Sequence, residues 1–280
     1  MQITYFIGNG FDLAMGLKTA YIDFIDAYKD KTSLRLCIDT FKRLIKSDLE
    51  TWSSAEEALG KCTHEYTISN YLDFCACYDN FHSEMSQYFA KQDSLCKKPI
   101  SKKTCKAFQD ALFKLGNLKF HPENFALASS LSDQLAESRH YSFVNFNYTR
   151  VFDRCLQHFC TSEEVYTHEV DGTYFGDTFG QVLHIHGTYD ELMVMGVNDE
   201  TQITNTDLAS FEDVRNRIIK PEINGALNAT RILRLQSIIT ESDVIILFGM
   251  SIGPTDKTWW IKIGQWLKSD LKHQLLIFIY

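Results

Sequence analysis

The sequence predicts an α/β fold in which helices cover both faces of a parallel β-sheet. Short runs that are almost entirely apolar, such as residues 3–7 and 244–250, are typical of strands buried on both faces. Helical patterns separate these runs, as expected where parallel strands need crossover connections. The stretch from about residue 33 to 135 shows only helical patterns. We therefore expect a single domain over residues 1–280, with a large helical insertion at about 33–135.

The N-terminal part is predicted to contain one strand followed by helices. Residues 3–7 form the first buried strand in this prediction. Residues 19–29 place apolar side chains at helical spacing, with Thr19 as the expected N-cap. A lysine-rich segment around Pro99 interrupts the helical stretch and is predicted to be a solvated loop. Contact of this segment with a polyanion is the alternative.

The C-terminal half alternates strand-like and helical segments. Aromatic and β-branched residues dominate residues 140–149, and residues 182–188 alternate apolar and polar side chains. The other strand-like segments are 192–197, 244–250 and 274–280. Helical patterns cover 151–160, 205–218, 224–240 and 257–269. This order predicts a sheet whose parallel strands alternate with helices.

The composition is that of a globular protein and argues against several classes. The chain has 280 residues, of which 45% are hydrophobic and 23% charged. A formal net charge of −8 argues against nucleic-acid binding as the main task. The chain is too long to need its eight cysteines as disulfide staples, and its start lacks a signal-peptide pattern. We therefore expect a cytoplasmic protein with reduced thiols and no membrane span.

Residue types that bind ligands follow the predicted strands. In parallel sheets, ligands bind beyond the carboxyl ends of the strands. The residues at these places are Gly8, Asn9 and Gly10 after the first strand, Asn147 after the second, His186 and Gly187, and Gly249 and Ser251. Because glycine costs conformational entropy when ordered, paired glycines after a strand indicate close approach to another group, most often a phosphate. A simple turn is the alternative.

The glycine turn after the first strand matches neither of two common phosphate-binding motifs. Leu13 stands where a dinucleotide-binding G-x-G-x-x-G motif has its third glycine, and no G-K-[ST] follows as in a Walker loop. The spacing of Gly8, Gly10 and Gly16, with Asp12 between them, resembles the opening of sirtuins. This resemblance implies a Rossmann-like, sirtuin-like core that binds NAD.

Two further motifs resemble sirtuins in the same order along the chain. Asn147 resembles the asparagine that holds the cofactor ribose, and Thr149 stands where an aspartate often contacts the nicotinamide end. Asn147 as a turn former at the strand end is the alternative. The pair His186 and Gly187 resembles the catalytic histidine of sirtuins, and an imidazole suits proton transfer near neutral pH.

The same segment also suggests a metal site as an alternative. His184 and His186 lie two residues apart on a predicted strand and would face the same side. Because no third ligand stands at a recognisable spacing, we expect no metal.

The last motif, GMSIGPTD, completes the resemblance to sirtuins. Gly249, Ser251 and Pro254 resemble a sirtuin turn, and Asp256 matches an acid found after this turn in bacterial sirtuin-like domains. Deacetylating sirtuins carry paired C-x-x-C zinc ligands after the catalytic histidine. Here no cysteine occurs beyond Cys160, so we do not expect protein deacetylation.

Taken over its whole length, the chain resembles the AbiH family of bacterial phage abortive-infection proteins. The shared motifs are the opening block through Phe24, W-x-x-x-E-x-x-L-G from Trp52 through Glu56 to Gly60, F-N-Y-T, H-I-H-G, G-x-N-[DE] at Gly196, Asn198 and Asp199, and F-G-x-S-x-x-x-x-D. The resemblance implies a sirtuin-like core with a helical insertion that serves anti-phage defence. Glu56 is either a carboxylate on a helix surface or a group that reaches from the insertion into the site.

Together these resemblances imply hydrolysis of NAD, or of a related nucleotide, at the nicotinamide–ribose bond. The backbone around Gly8 and Gly10 would bind the pyrophosphate, Asn147 the ribose, and His186 would act as general base. A carboxylate such as Asp12 or Asp256 would stabilise the ribosyl cation, although Asp12 alternatively caps the adjoining helix. We also expect a phage-derived trigger and a homo-oligomer.

Two other functions remain open at this point. The chain is alternatively a binding module that senses a nucleotide without catalysis, which the threonine at Thr149 favours. The helical segment would otherwise serve mainly as an oligomer interface, with a cleft that has lost its function.

Overall fold

A computed structural model describes residues 1–31, 35–51, 55–96, 136–159, 166–227 and 229–278. The strands within these ranges are β1 (Gln2–Ile7), β2 (Arg139–Asn145), β3 (Tyr166–Val170), β4 (Thr173–His184), β5 (Val244–Phe248) and β6 (Gln274–Ile277). They form one sheet in the order β3-β4-β2-β1-β5-β6. Every neighbouring pair is parallel except β3 and β4, which pair antiparallel. The chain is therefore a mixed α/β protein with a mostly parallel sheet, and the expectation of a wholly parallel sheet is wrong at this edge.

Helices occupy much of the remaining described chain. They are α1 (Asn9–Ala14), α2 (Tyr21–Lys29), α3 (Leu36–Thr51), α4 (Ala55–Lys61), α5 (Tyr71–Leu95), α6 (Val151–Phe159), α7 (Thr206–Ala209), α8 (Glu212–Ile218), α9 (Lys220–Leu227), α10 (Ala229–Glu241) and α11 (Lys257–Ser269). A 3-10 helix, Pro254–Asp256, precedes α11. Helices α1 to α5 all lie between β1 and β2, which are neighbours in the sheet.

Most of the elements predicted from the sequence are present. The strands predicted at 3–7, 140–149, 244–250 and 274–280 correspond to β1, β2, β5 and β6, and the helices predicted at 151–160 and 257–269 correspond to α6 and α11. The helical segment predicted at 205–218 is divided into the two helices α7 and α8, and the segment predicted at 224–240 corresponds to the end of α9 and to α10. The Pro99 segment and Trp52 lie outside the described residues.

Three details of the prediction are wrong. The strand predicted at 182–188 is only the end of β4, which begins at Thr173 and ends at His184. The apolar run 192–197 is not a strand: its buried side chains pack in a helical core, and only one isolated bridge, at Val197, occurs there. Helix α2 has Ala20 at its N-cap, because the hydroxyl of Thr19 instead donates to Asn9 Oδ1 over 2.6 Å.

Alternate side chains of the sheet pack against helices on its two faces. Ile3, Tyr5 and Ile7 of β1 share one hydrophobic core with residues of α1 and α6. Phe6 points to the opposite face, where α10 and α11 complete a second core. A third core joins α2 to α5 with the segment that follows β4. These contacts confirm helices on both faces and place a helical layer beside the carboxyl ends of the strands.

Close approach of two loops fixes the backbone at the carboxyl ends of β1 and β5. A Cβ added to Gly8 would lie 2.5 Å from the carbonyl oxygen of Gly249, and one added to Gly10 would lie 2.7 Å from the Cα of Gly249. Gly249 itself has φ +64°, where L-residues with a Cβ are strained. The glycines after β1 are therefore required for packing of the two loops against each other.

No helix among the described residues is both long enough and apolar enough to cross a membrane. The six cysteines within the described ranges are free thiols.

We expect Gly249→Ala to lower the free energy of unfolding by about 2–4 kcal/mol, because the new methyl group clashes with the α1 backbone at an unfavourable φ. Its Cβ would lie 2.8 Å from the amide nitrogen of Phe11. Urea unfolding followed by circular dichroism measures the change. Gly264→Ala, inside α11 where a Cβ meets nothing within 4 Å, is the matched control and should be neutral or slightly stabilising. Equal stability of both variants would contradict this account of the loops.

Candidate functional site

A cavity of about 490 Å³ lies at the carboxyl ends of β1, β2, β4 and β5. The loops that follow these four strands line it, and side chains of the helical layer close it from the other side. Its volume is within the range of small-molecule sites. The residues predicted from the sequence that line it are Gly8, Asn9, Asp12, Glu56, Asn147, His186, Gly249, Ser251 and Asp256. The structure thus brings nine of the predicted residues to one cavity.

The loop after β1 is held by hydrogen bonds within the protein. The amide of Gly8 donates to the carbonyl of Phe248 over 2.9 Å, and that of Gly10 donates to the carbonyl of Gly249 over 2.8 Å. Asn9 uses its side-chain amide on Thr19, donating to the carbonyl over 3.0 Å and accepting from the hydroxyl. Since both glycine amides already have acceptors, this geometry does not support the prediction that they bind a pyrophosphate.

Asn147 and Thr149 hold Asp12 in the wall of the cavity. The Asn147 side chain donates to the carbonyl of Gly8 over 3.1 Å and to Asp12 Oδ1 over 3.3 Å, while the Thr149 hydroxyl donates to Asp12 Oδ2 over 2.6 Å. An aspartate in place of Thr149 would set two carboxylates against each other, so the threonine fits this neighbour. Thr149 lies behind the cavity rather than in its lining.

Burial sets the protonation of Asp12. The side chain is only 1% exposed. Burial raises the pKa of Asp12 to about 7, and the charge of Asp93 adds to this, against the hydrogen bonds from Thr149 and Asn147 and the charge of His184. Near neutral pH this carboxyl group is therefore divided between its acid and its anion.

His184 supports the Asn147 loop and does not share a partner with His186. Its Nδ1 lies 3.2 Å from the carbonyl oxygen of Asn147, and its Nε2 lies 2.9 Å from Asp153 of α6. His186 lies in the turn after β4 and contacts Asp256. Among the described residues no group of three or more His, Cys, Asp or Glu side chains is placed to hold a metal ion.

A chain of four charged or polar groups, three of them buried and Asp256 partly buried, crosses from the helical layer to His186. Lys220 Nζ, at the start of α9, lies 3.0 Å from Glu56 Oε2 and 2.8 Å from Asp256 Oδ1. The same Asp256 oxygen lies 3.0 Å from His186 Nε2. Glu56, Lys220 and His186 are each at most 4% exposed. We call these four residues the charge chain.

The contacts within the charge chain keep the carboxylate of Asp256 and the ammonium of Lys220 ionised. Burial by itself would raise the pKa of Asp256, but the ammonium of Lys220 and the imidazole of His186 outweigh it and hold that pKa well below its ordinary value. Burial likewise opposes the charged form of Lys220, yet Asp256 and Glu56 together raise the pKa of its ammonium. Glu56 therefore does reach from the helical layer into the site, which was one of the two alternatives that the sequence left open.

His186 keeps one ring nitrogen without a partner. Its Nδ1 is buried and has no hydrogen-bond partner among the described residues. The ring packs edge-on against Phe146, with 5.2 Å between the ring centroids. Since Nε2 is held by a carboxylate, which only accepts, Nδ1 is the nitrogen left to take a proton from a reacting group.

Two predicted residues shape the surroundings of the cavity. Gly187 has φ +71°, and a Cβ there would lie 2.1 Å from the carbonyl oxygen of Leu192, so only glycine fits the turn behind His186. Asn198 accepts hydrogen bonds from the amide and hydroxyl of Thr258, over 3.0 and 2.8 Å, and so holds the start of α11. It lines a smaller cavity of about 150 Å³ on the other side of Lys220 and Asp256.

Lys220 is the one member of the charge chain that the sequence analysis does not identify. It follows Ile218 and Ile219 and precedes Pro221. A lysine is rarely buried without a charged partner, so its place in an apolar run is the one local signal. That signal does not identify Glu56 and Asp256 as its partners, because they lie 164 and 36 residues away in sequence.

A comparison with models of protein families shows which family the chain belongs to. The family model described as bacteriophage abortive infection AbiH matches residues 4–278. The chain belongs to the AbiH family. A search of curated proteins finds no match to this AbiH protein. The family makes it a phage abortive-infection protein by class.

For this AbiH protein we expect Asp12→Asn to change how stability depends on pH. The pKa of Asp12 is raised from 3.8 to about 7 by folding, so the folded state binds the proton more tightly and the stability of the parent falls as pH rises through this window. The variant lacks this loss. Its unfolding free energy relative to the parent should therefore rise between about pH 4 and 7, by a few kcal/mol in order of magnitude, and level off at higher pH, where the group is ionised in both states.

Urea unfolding at a series of pH values measures this difference. Asp26→Asn is the control, because Asp26 is exposed and Lys29 holds its pKa below the ordinary value. Its difference from the parent should stay constant from about pH 5 to 7, where Asp26 is ionised in both the folded and the unfolded state. A flat difference for Asp12→Asn as well would show that burial does not raise the pKa of Asp12.

Proposed function

We propose that this AbiH protein hydrolyses NAD, or a related nucleotide, at the bond between nicotinamide and ribose. The observation that carries the proposal is the arrangement of His186: Asp256 holds its Nε2 at 3.0 Å, while Nδ1 has no partner within the described chain. Asn147 lines the same cavity. A histidine held in this way is suited to act as general base. Sirtuin-like order of the motifs along the sequence supports the same chemistry.

The proposed reaction needs a proton acceptor and a negative charge near the ribose. The bond between C1′ and the nicotinamide nitrogen breaks, and its electron pair leaves with nicotinamide. A water oxygen bonds to C1′, and a proton of that water goes to Nδ1 of His186. Asp256 is the better carboxylate to stabilise the ribosyl cation, because its pKa is held low while that of Asp12 is raised to about 7.

The phosphates are proposed to lie against the loop at 249–253. This loop lines the cavity, and Ser251 and Ile252 in it are exposed. It is a better candidate than the loop after β1, whose Gly8 and Gly10 amides donate to carbonyl oxygens. Loss of cellular NAD would stop both the host and the phage, which agrees with the abortive-infection class of the family.

We expect His186→Ala to lower the rate of NAD hydrolysis by at least about 100-fold, because it removes the base. Mass spectrometry of nicotinamide and ADP-ribose, with and without phage-infected cell extract, measures turnover. Asn147→Ala should also abolish turnover, and thermal melting checks its fold, since Asn147 also binds Gly8 and Asp12. His64→Ala, at an exposed histidine outside the cavity, should keep full activity. A parent protein that releases neither product under any of these conditions would refute hydrolysis.

A second candidate function is nucleotide sensing without catalysis. Asp12 favours it, because Asn147 and Thr149 already engage both of its carboxylate oxygens. A rise in melting temperature with ADP-ribose, without release of products from NAD, would support sensing instead of hydrolysis.

A further inference from the structure

Lys220 joins parts of the chain that are remote in sequence. Its ammonium lies between Glu56 of α4 and Asp256 of the 3-10 helix before α11, at 3.0 and 2.8 Å. The side chains of Lys220 and Glu56 are 4% and 5% exposed. A lysine buried to this extent is ionised only where carboxylates surround it, and both carboxylates here meet that need.

Lys220 and His186 share one acceptor. Both the ammonium nitrogen and His186 Nε2 lie within 3.0 Å of the same oxygen, Oδ1 of Asp256. Since Asp256 is a carboxylate, it accepts, and Nε2 carries the hydrogen. A carboxylate alone would also favour protonation of the second nitrogen, Nδ1, because a nearby negative charge stabilises an imidazolium. The ammonium beside that carboxylate opposes this effect.

Within the described part of the chain, ion pairs connect His186 to Asp256, then to Lys220 and, behind Lys220, to Glu56. Asp12 and Glu57 line the same cavity as His186, and Lys262 lines the smaller cavity with it. The phenol groups of Tyr21 and Tyr148 lie near Glu56 and Asp256, and burial first of all raises the pKa of both phenols, so they remain neutral. The charge chain therefore places two carboxylates and one ammonium on the Nε2 side of His186.

We propose that Lys220, held by Glu56, is a positioning residue that keeps His186 as the neutral ring with hydrogen on Nε2 and thereby leaves Nδ1 as the base. The role as base rests on the proposed hydrolysis of NAD, whereas the state of the ring does not. Lys220 acts through Asp256 and touches neither the substrate nor the reacting atoms in this scheme.

Two variants that remove opposite charges test the proposal. Lys220→Met should favour the imidazolium, so that both ring nitrogens carry hydrogen over a wider pH range than in the parent. Glu56→Gln should act in the opposite direction, because it removes a negative charge. Nitrogen-15 NMR of the labelled His186 imidazole reports which nitrogens carry hydrogen, whether or not the protein turns over NAD. We expect the pH at which Nδ1 of His186 gains its hydrogen to rise by about one unit in Lys220→Met and to fall by about one unit in Glu56→Gln.

Matched variants separate this effect from loss of structure. Glu57→Gln makes the same substitution one position along α4, at a residue that lines the same cavity. It should shift the pH at which Nδ1 of His186 is protonated by much less. If Lys220→Met does not fold, the double variant Glu56→Gln/Lys220→Met removes one charge of each sign. The double variant should raise the pH at which Nδ1 of His186 is protonated, as Lys220→Met does, because Lys220 is the nearer of the two groups to His186. Lys220→Arg, which keeps the charge, should restore the parent behaviour at least in part.

The pH dependence of NAD hydrolysis supplies a second measurement. Lys220→Met should lose activity near pH 7 and recover it as the pH is raised, since a higher pH removes the extra proton from His186. A folded Lys220→Met or double variant with the same imidazole spectra as the parent at every pH would overturn the proposal. A parent that shows the expected spectra but no turnover would instead refute the proposed hydrolysis and leave the positioning role of Lys220 in place.

Discussion

The buried ammonium of Lys220 is the constraint on which the rest of the site depends. It forms ion pairs at the same point with Glu56 from the helical layer and with Asp256 from the loop after β5. Removal of one member of a buried ion pair costs about 3–5 kcal/mol, because the remaining charge has no compensation. The helical layer and the sheet are therefore fixed relative to each other at the point where His186 meets Asp256.

Packing of backbone against backbone provides the second constraint. Gly8 and Gly249 bring the loops after β1 and β5 into direct contact, and the amides of Gly8 and Gly10 are used in that contact. Glycines that would indicate a phosphate site in the sequence thus serve the assembly of the cavity wall. Asn147 extends the same wall by donating to the carbonyl of Gly8 and to Asp12.

Patterns of hydrophobicity were sufficient to predict much of the fold. Strands β1 and β5 are largely apolar runs buried by neighbouring strands and helices, and they are apparent without any tertiary information. Strand β2 also carries polar side chains, and β6 is a partly exposed strand at the edge of the sheet. The hairpin of β3 and β4 was missed because an edge hairpin is largely exposed and its residues are polar or glycine in many positions. The run at 192–197 is predicted as a strand but is a loop. Its residues 193–197 are buried, and a buried loop has the same composition as a buried strand.

The sequence predicts those residues of the candidate site that follow the carboxyl ends of strands. It does not predict contacts between residues that lie far apart in the sequence. Asn147, His186 and Asp256 follow strands, so the topology brings them together. The amides of Gly8 and Gly10 donate to the carbonyl groups of Phe248 and Gly249, and no local sequence pattern reveals these acceptors. Lys220 likewise pairs with Glu56, which reaches it from a different layer of the fold.

A crystal structure of the protein soaked with ADP-ribose tests the central claim most directly, namely that the charge chain and the four strand-end loops form one nucleotide site. We expect the ribose to lie between Asn147 and His186, with its C1′ facing Nδ1 of His186 and the phosphates along residues 249–253. Lys220 should remain between Glu56 and Asp256. ADP-ribose bound elsewhere on the protein, or a His186 ring that turns away from Asp256 when the cavity is filled, would contradict it.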